Sequence, residues 1–153
     1  MGLGYTKSAD VQPEVNYAGA WNDAGQSINT ASQTALTYTI EEIDGNAMVN
    51  LGTNNDRITI KAAGRYLILG QVWVLNLNVA CKVAVYIDKN GTPLTESEYA
   101  GCCPSKSTTS LEQSVYTMAI LDLALNDYIR LQIYHNKGSA HTFQGRLNII
   151  RIA

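Results

Sequence analysis

The chain has 153 residues, of which 46% are hydrophobic and 16% charged, and its formal net charge is −2. This length suits one domain with a substantial core, and the scattered basic residues argue against nucleic acid or an anionic membrane as partner. No stretch approaches the roughly 18 consecutive apolar residues of a spanning helix, and we expect no export signal.

Residues 1–18 mix glycine, polar residues and tyrosine around Pro13, which predicts an irregular N-terminal arm. We expect residues 19–153 to form a single all-β domain. The apolar side chains of the arm are candidates for docking onto a partner: Leu3, Tyr5, Val11, Val15 and Tyr17.

From Trp21 onward, short strand patterns alternate with turn signals, which is typical of a β-sandwich or barrel. Residues 36–42, LTYTIEE, and 57–60, RITI, alternate apolar and polar side chains. The next segment, GRYLILGQVWVLNL at 64–77, is apolar at both parities, so it predicts a strand that is covered on both faces.

The second half of the chain continues both patterns. Residues 82–88 and 128–134 have one apolar and one polar face, and Asn90-Gly91 is a strong turn signal after the first of them. Residues 115–121 and 147–152 are apolar on both faces.

Two sets of strands are therefore predicted. The first set, at 36–42, 82–88 and 128–134, has one polar face that solvent can contact. The second set, at 65–75, 115–121 and 147–152, is apolar on both faces. If each set forms one sheet, the sheet of doubly apolar strands has an outer face that must also be buried. Another subunit is the best candidate to cover that face. The alternative is that loops or the N-terminal arm bury it.

Three cysteines cannot all pair within one chain. Cys81 lies in an alternating apolar segment and is interpreted as a small buried hydrophobe. The adjacent Cys102 and Cys103 lie in a predicted loop without metal-binding spacing, so we expect free thiols in a reducing compartment, with an intermolecular disulfide as the alternative.

Candidate catalytic residues are few. His135 and His141 flank the loop NKGSA, but no GxSxG, HExxH or CxxC motif accompanies them, so we expect solvated loop histidines and no enzyme. We also expect no cofactor.

Acidic side chains offer a possible calcium site. Glu41, Glu42, Asp44 and Asp56 carry the oxygen ligands that calcium prefers. Their spacing matches no dedicated calcium loop, so turn chemistry is the better interpretation and no metal is expected.

Four ordered motifs resemble the globular domain of complement component 1q and the tumour necrosis factor family. Residues 62–74, AAGRYLILGQVWV, are similar to the family's Gly-x-Tyr strand, with Gly64 and Tyr66 in place. Residues 81–91, CKVAVYIDKNG, are similar to the following strand and its Asn-Gly turn.

The other two motifs lie near the C-terminus. Residues 121–134, LDLALNDYIRLQIY, resemble the leucine-x-leucine and Gly-Asp pattern, with Asn126 in place of the glycine. Residues 143–150, FQGRLNII, resemble the closing Phe-Ser-Gly-aromatic-Leu pattern, with Gln144 for the serine and Arg146 for the aromatic residue.

The resemblance implies a ten-stranded jelly-roll sandwich of two antiparallel sheets that forms trimers through one sheet. The motif parity, Tyr66, Ile68, Leu121, Leu123 and Leu147, then belongs to the core of one subunit. The opposite parity supplies the expected trimer interface: Leu67, Leu69, Trp73, Tyr116, Met118, Ile120 and Ile150.

Domains that look like this also occur in bacteriophage virions, which gives the leading functional expectation. The chain would be made in the host cytoplasm and join the virion as a trimeric capsid decoration protein or head-fibre tip, bound to the major capsid protein or another virion protein through its arm. The alternative is the receptor- or saccharide-binding tip of a tail fibre or bacterial adhesin, acting through loops at 99–110 and 135–142.

Overall fold

A computed structural model of the protein describes residues 16–77, 81–94, 99–102 and 111–153. These residues form strands and turns. Among them no helix is long and apolar enough to cross a membrane.

Eleven strands occur in the described part of the chain. In chain order they are β1 (Tyr17–Ile28), β2 (Thr34–Ala35), β3 (Ile40–Asp44), β4 (Ile58–Thr59), β5 (Gly64–Leu77), β6 (Lys82–Lys89), β7 (Thr92–Pro93), β8 (Tyr99–Cys102), β9 (Leu111–Leu123), β10 (Tyr128–His135) and β11 (His141–Arg151).

The strands form two antiparallel sheets. The five-stranded sheet has the order β3-β1-β11-β5-β9, and the second sheet has the order β2-β10-β6-β7, with β4 also paired to β10 and β8 to β6. In the second sheet β7 and β8 lie along the same edge of β6, and β2 and β4 lie along the same edge of β10. The predicted jelly-roll sandwich is confirmed.

The doubly apolar segments share one sheet, as predicted. Residues 65–75, 115–121 and 147–152 lie on or at the end of β5, β9 and β11, which are neighbours in the five-stranded sheet. Residues 82–88 and 128–134 form β6 and β10, which pair in the second sheet. The period of the hydrophobic pattern therefore sorted these five segments correctly.

The core lies between the two sheets. Tyr66, Ile68 and Leu147 are fully buried on the inner face of the five-stranded sheet, and Leu123 is 3% exposed. Leu121, which the motif parity also assigned to the core, is only partly buried against it. The second sheet contributes a matching inner row: Val83, Val85, Ile87, Ile129, Leu131 and Ile133.

The prediction of one strand at 36–42 in the second sheet is wrong, because the chain crosses between the sheets there. The backbone N–H of Leu36 donates to the carbonyl of Leu131 in the second sheet (2.9 Å). Three residues later, the N–H of Thr39 donates to the carbonyl of Trp21 in the five-stranded sheet (2.9 Å). Leu36 and Tyr38 are still buried, so only the partner of the segment was mistaken.

The first strand begins at Tyr17, inside the segment that was predicted to be an irregular arm. Tyr17 pairs with Ile150, and Ala18, which is 1% exposed, pairs with Ile149. Small residues with low strand propensity hid this strand, because β1 opens with the sequence YAGA. The other proposed arm residues, Leu3, Tyr5, Val11 and Val15, lie outside the described residues.

Candidate functional site

The candidate site is the outer face of the five-stranded sheet, which points away from the core. Strand pairing sets its side chains in rows across β11, β5 and β9. The rows are Ile150–Leu67–Ile120, Asn148–Leu69–Met118, Arg146–Gln71–Tyr116 and Gln144–Trp73–Ser114. Two apolar rows therefore lie beside two rows that mix aromatic and polar side chains.

Exposed apolar side chains concentrate on this face. The described residues contain eight exposed large hydrophobic side chains, and all except Leu125 belong to the outer face. The seven are Ile43, Leu69, Tyr116, Met118, Ile120, Ile150 and Ile152. Tyr116 is 60% and Ile120 is 59% exposed. A patch of this kind marks an interaction surface, whereas exposed apolar residues that occur singly need no explanation.

All seven residues of the predicted trimer interface lie on the outer face. Five of them are exposed, and Leu67 and Trp73 are half-buried. Their role in an assembly stays a prediction, since the structure contains one chain.

Three further residues belong to the same face and were not assigned to it from the sequence. Ile43 lies opposite Gly19, Tyr17 opposite Ile150, and Ile152 continues the parity of Ile150 just past the end of β11. The shared parity with Ile150 was a usable signal for Ile152. No sequence pattern indicated that β3 pairs with β1 and so places Ile43 on this sheet.

Strand β9 forms the edge of the five-stranded sheet beside the face. It is the last strand of the five-stranded sheet and pairs with β5 on one side, and no strand of the described residues pairs with its other side. The exposed side chains of Tyr116, Met118 and Ile120 lie on this strand. A long edge with apolar neighbours is a template for association, so proteins normally cover it.

A shallow depression of about 500 Å³ lies within the outer face. Its lining includes Leu69, Gln71, Tyr116, Met118, Arg146 and Asn148. The Gln71 side-chain amide donates a hydrogen bond to the Tyr116 hydroxyl (2.8 Å). The Arg146 guanidinium pairs with Glu42 (2.8 Å) and lies 5.3 Å from the centre of the Trp21 ring. Gln71, Tyr116 and the Arg146 charge thus have partners within the subunit, whereas Nε of Arg146 and Nε1 of Trp21 are buried without a hydrogen-bond partner among the described residues.

An ion pair borders the other end of the apolar rows. Arg65 and Asp122 face each other across β5 and β9 and form two hydrogen bonds of 2.8 and 2.9 Å. The hydrogen bond from Arg65 holds the pKa of the Asp122 carboxyl below its usual value. The face therefore has an apolar centre between polar borders, which is the ordinary anatomy of a protein interface.

The two candidate catalytic histidines pack around Phe143. His135 is 1% exposed, its Nε2 lies 3.0 Å from the Ile28 carbonyl oxygen, and its ring centre is 5.1 Å from that of Phe143. The expectation of a solvated loop histidine is therefore wrong for His135. It ends β10 on the same inward parity as Ile133, a signal that the sequence did contain.

His141 opens β11 on the other side of the same aromatic ring. Its ring centre is 5.9 Å from that of Phe143, and its Nδ1 lies 2.8 Å from the Nζ of Lys137. Its half-buried position also differs from the solvated loop that was expected.

The acidic residues serve turns and ion pairs. Asp44 accepts hydrogen bonds from the backbone N–H groups of Met48 (2.7 Å) and Val49 (3.1 Å), which confirms turn chemistry there. Asp56 instead pairs with Arg57 (2.7 Å) and Arg130 (3.2 Å). Among the described residues no three His, Cys, Asp or Glu side chains are grouped to hold a metal ion.

The cysteines are only partly described. Cys81 is half-buried and packs against the core, close to the expected small buried hydrophobe. Cys102 ends β8 opposite Lys82, and Cys103 lies outside the described residues, so the redox state of that pair stays a prediction.

Solved structures share this fold. The globular domain of the zebrafish complement 1qA protein matches with a TM-score of 0.62 and 14% identity, over 90% of this chain and 98% of that one. The Eiger TNF from S. frugiperda matches with a TM-score of 0.62 and 12% identity, over 92% and 94%. No protein-family profile and no curated protein matches the sequence. At these identities the likeness shows a C1q- and TNF-like jelly roll, and neither match concerns a bacteriophage protein.

Proposed function

We propose that this domain is a non-enzymatic structural module that assembles as a homotrimer through the outer face of its five-stranded sheet. One observation carries the proposal: the exposed large apolar side chains of the described residues lie on that face, with Leu125 as the exception. The resemblance to a family of trimeric jelly rolls supports the same assembly. A closed ring of identical subunits covers each copy of the face without leaving one exposed.

The energetics favour a cover over this face. Full burial of a large apolar side chain contributes about 1.5–3 kcal/mol, and Tyr116, Met118 and Ile120 are more than half exposed in the single chain. Association costs translational and rotational entropy. The free energy gained by burying these side chains exceeds that cost only when several of them are buried in the same contact. Because these side chains lie on β9, the last strand of the five-stranded sheet, a contact that buries them also lies beside that edge.

The charges on the face do not oppose burial. Arg146 and Glu42 pair within the subunit, at 2.8 Å, and both side chains are already partly buried. A partner that covers this pair therefore buries no unpaired charge. Burial of an unpaired charge is what would cost the most free energy.

A substitution of Ile120 by aspartate tests the proposed assembly. Ile120 is 59% exposed, so the subunit should still fold, but a carboxylate in the contact lacks a partner. We expect association to weaken by about 3 kcal/mol per contact, more than 100-fold, so that sedimentation at micromolar concentration detects folded monomers. Circular dichroism checks that the fold is retained.

Leu125→Asp is the matched control. Leu125 is 57% exposed but lies in the turn after β9, away from the face, so this variant should remain trimeric. An Ile120→Asp variant that stays a trimer, or a Leu125→Asp variant that dissociates equally, would contradict the assigned face.

Within this function we propose a virion location, in which residues 1–15 bind a capsid or another virion protein and the trimer stabilises the particle. The proposal is supported by the low charge of the chain and by the apolar residues Leu3, Tyr5, Val11 and Val15 ahead of the sandwich. Tyr17, previously grouped with them, belongs to β1 and is assigned to the outer face.

Deletion of residues 1–15 tests this location without removing any of β1. We expect the shortened protein to remain a trimer and to lose binding to purified particles, measured by co-sedimentation. Retained particle binding would contradict the docking role. Saccharide binding by the shortened trimer on a glycan array would instead favour the receptor-binding alternative.

A further inference from the structure

The turn between β6 and β7 consists of Asn90 and Gly91. Their φ angles are 54° and 88°, so both residues lie in the left-handed region. A two-residue hairpin turn of this kind requires positive φ at both positions, which is why Asn-Gly is its preferred sequence. The turn thus places the Asn90 side-chain amide next to the backbone N–H of glycine, a residue without a side chain.

The Asn90 side chain is fully engaged with the start of β10. Its Nδ2 donates to Oδ1 of Asp127 (2.7 Å), and its Oδ1 accepts from the backbone N–H of Tyr128 (2.8 Å). The backbone N–H of Asn90 also donates to the carbonyl of Tyr128 (3.0 Å). One residue therefore links the β6–β7 turn to the turn between β9 and β10.

An Asn-Gly pair can modify itself in water. The glycine nitrogen loses its proton and attacks the asparagine Cγ, the Cγ–Nδ2 bond breaks, and ammonia leaves with a proton from water. Water then opens the five-membered imide that remains, at Cγ to give aspartate or at the backbone carbonyl to give isoaspartate. No oxidant and no other reactant is needed.

We propose that Asn90 is a self-modification site that the native fold holds unreactive, and that its deamidation releases this end of the sandwich. Two contacts oppose the deamidation reaction. The Gly91 N–H donates to Oδ1 of Asp88 (2.7 Å), where the carboxylate opposes loss of the proton. The leaving amide nitrogen of Asn90 donates to Asp127, so any rotation of the Asn90 side chain requires that contact to open.

The product would not fit the place of Asn90. A carboxylate at this position would face Asp127 across the 2.7 Å that the amide N–H now bridges. Lys89, 2.9 Å from the other oxygen of Asp127, offsets only part of this repulsion. Isoaspartate would in addition lengthen the backbone of a turn whose dihedral angles are tightly set.

Peptide mapping by mass spectrometry after incubation at mildly alkaline pH tests the protection. In the folded protein we expect deamidation at Asn90 to be at least about tenfold slower than in the same chain unfolded in denaturant, since the reaction must await local opening. Equal rates in the two states would overturn the proposal, and this comparison needs no variant.

Asp127→Ala removes the contact, together with the hydrogen bond from the Ala124 N–H and the ion pair with Lys89. The folded variant should deamidate at Asn90 several-fold faster than the wild type, whereas Asp122→Ala, which removes a nearby carboxylate that does not contact the Asn90 side chain, should not. Equal rates in the two variants would contradict the role of Asp127.

Asn90→Asp mimics one product and tests its consequence. We expect its midpoint of thermal unfolding at pH 7 to fall by about 2–4 °C. An unchanged midpoint would show that deamidation releases nothing.

Discussion

Gly145 shows how one missing side chain lets the two sheets close. It lies in β11 on the inward parity, between Phe143 and Leu147. A Cβ at this position would meet the backbone carbonyl oxygen of Gln71 at 2.8 Å and the Cδ2 of Leu36 at 2.7 Å. The glycine in the motif FQGRLNII is therefore required by close packing, because a backbone atom cannot move aside as a side-chain end can.

Gly145→Ala should accordingly destabilise the fold. Overpacking of a close-packed core costs about 1–3 kcal/mol, and here the neighbour is backbone. The matched control is Gly52→Ala, where the nearest atom to the new Cβ is the Asn50 side-chain oxygen at 3.5 Å. Denaturant unfolding should separate the two variants, and equal free energies of unfolding would contradict the packing argument.

Strand β10 carries a charge network on the outer side of the second sheet. Arg130 pairs with Asp88 (2.8 Å), which is fully buried, and with Asp56 (3.2 Å), and Gln132 also donates to Asp88 (2.6 Å). Burial raises the pKa of Asp56, but hydrogen bonds from Arg57 and Arg130 lower it more, so the pKa lies below its usual value. The network thus ties β10, β6 and the loop before β4 together.

The lowered pKa of Asp56 makes part of the stability depend on pH. A carboxylate with a lowered pKa in the folded state stabilises the protein above its unfolded pKa of about 3.9, and this contribution is lost as the pH falls through the folded pKa. Asp56→Asn should therefore cost about 1 kcal/mol at pH 7, allowing for solvent screening, and show a shallower loss of stability below about pH 4.

Unfolding curves at a series of pH values check this expectation. Glu41→Gln, which removes an exposed carboxylate from β3, is the matched control for the loss of one negative charge. An Asp56→Asn variant with the acid dependence of the wild type would contradict the role given to the ion pairs.

Regular alternation made some strands predictable and its absence hid others. Strands β6 and β10 followed from alternating Val and Ile residues, because side-chain period fixes which face is buried. The YAGA start of β1 carried no such signal. The crossing at 36–39 could not be predicted either, because alternation records which side chains are buried and not which strand their backbone joins.

The sequence predicted which side chains of β5 point to the outer face, but it did not predict every strand that contributes to that face. The sequence of β5 placed Leu67, Leu69 and Trp73 opposite the core, and the fold bears out that placement. Ile43 joined the face only through the pairing of β3 with β1, a contact between segments that no local pattern encodes. The buried position of His135 is different, because its parity with Ile133 was readable in the sequence and the C-terminal end of β10 was mistaken for a loop.

The low charge of the chain agrees with an apolar outer face. With 16% charged residues, the protein has few with which to cover the outside of both sheets; among the described residues, the Arg65–Asp122 pair borders the outer face and the Arg130–Asp88 pair lies on the second sheet. Under the proposed function, identical copies cover these exposed rows.

Sedimentation equilibrium of the unaltered protein, from nanomolar to micromolar concentration, measures this most directly. We predict a mass three times that of the 16.7 kDa chain at micromolar concentration, with dissociation only on strong dilution. A folded protein that keeps the mass of one chain across that range would contradict the account.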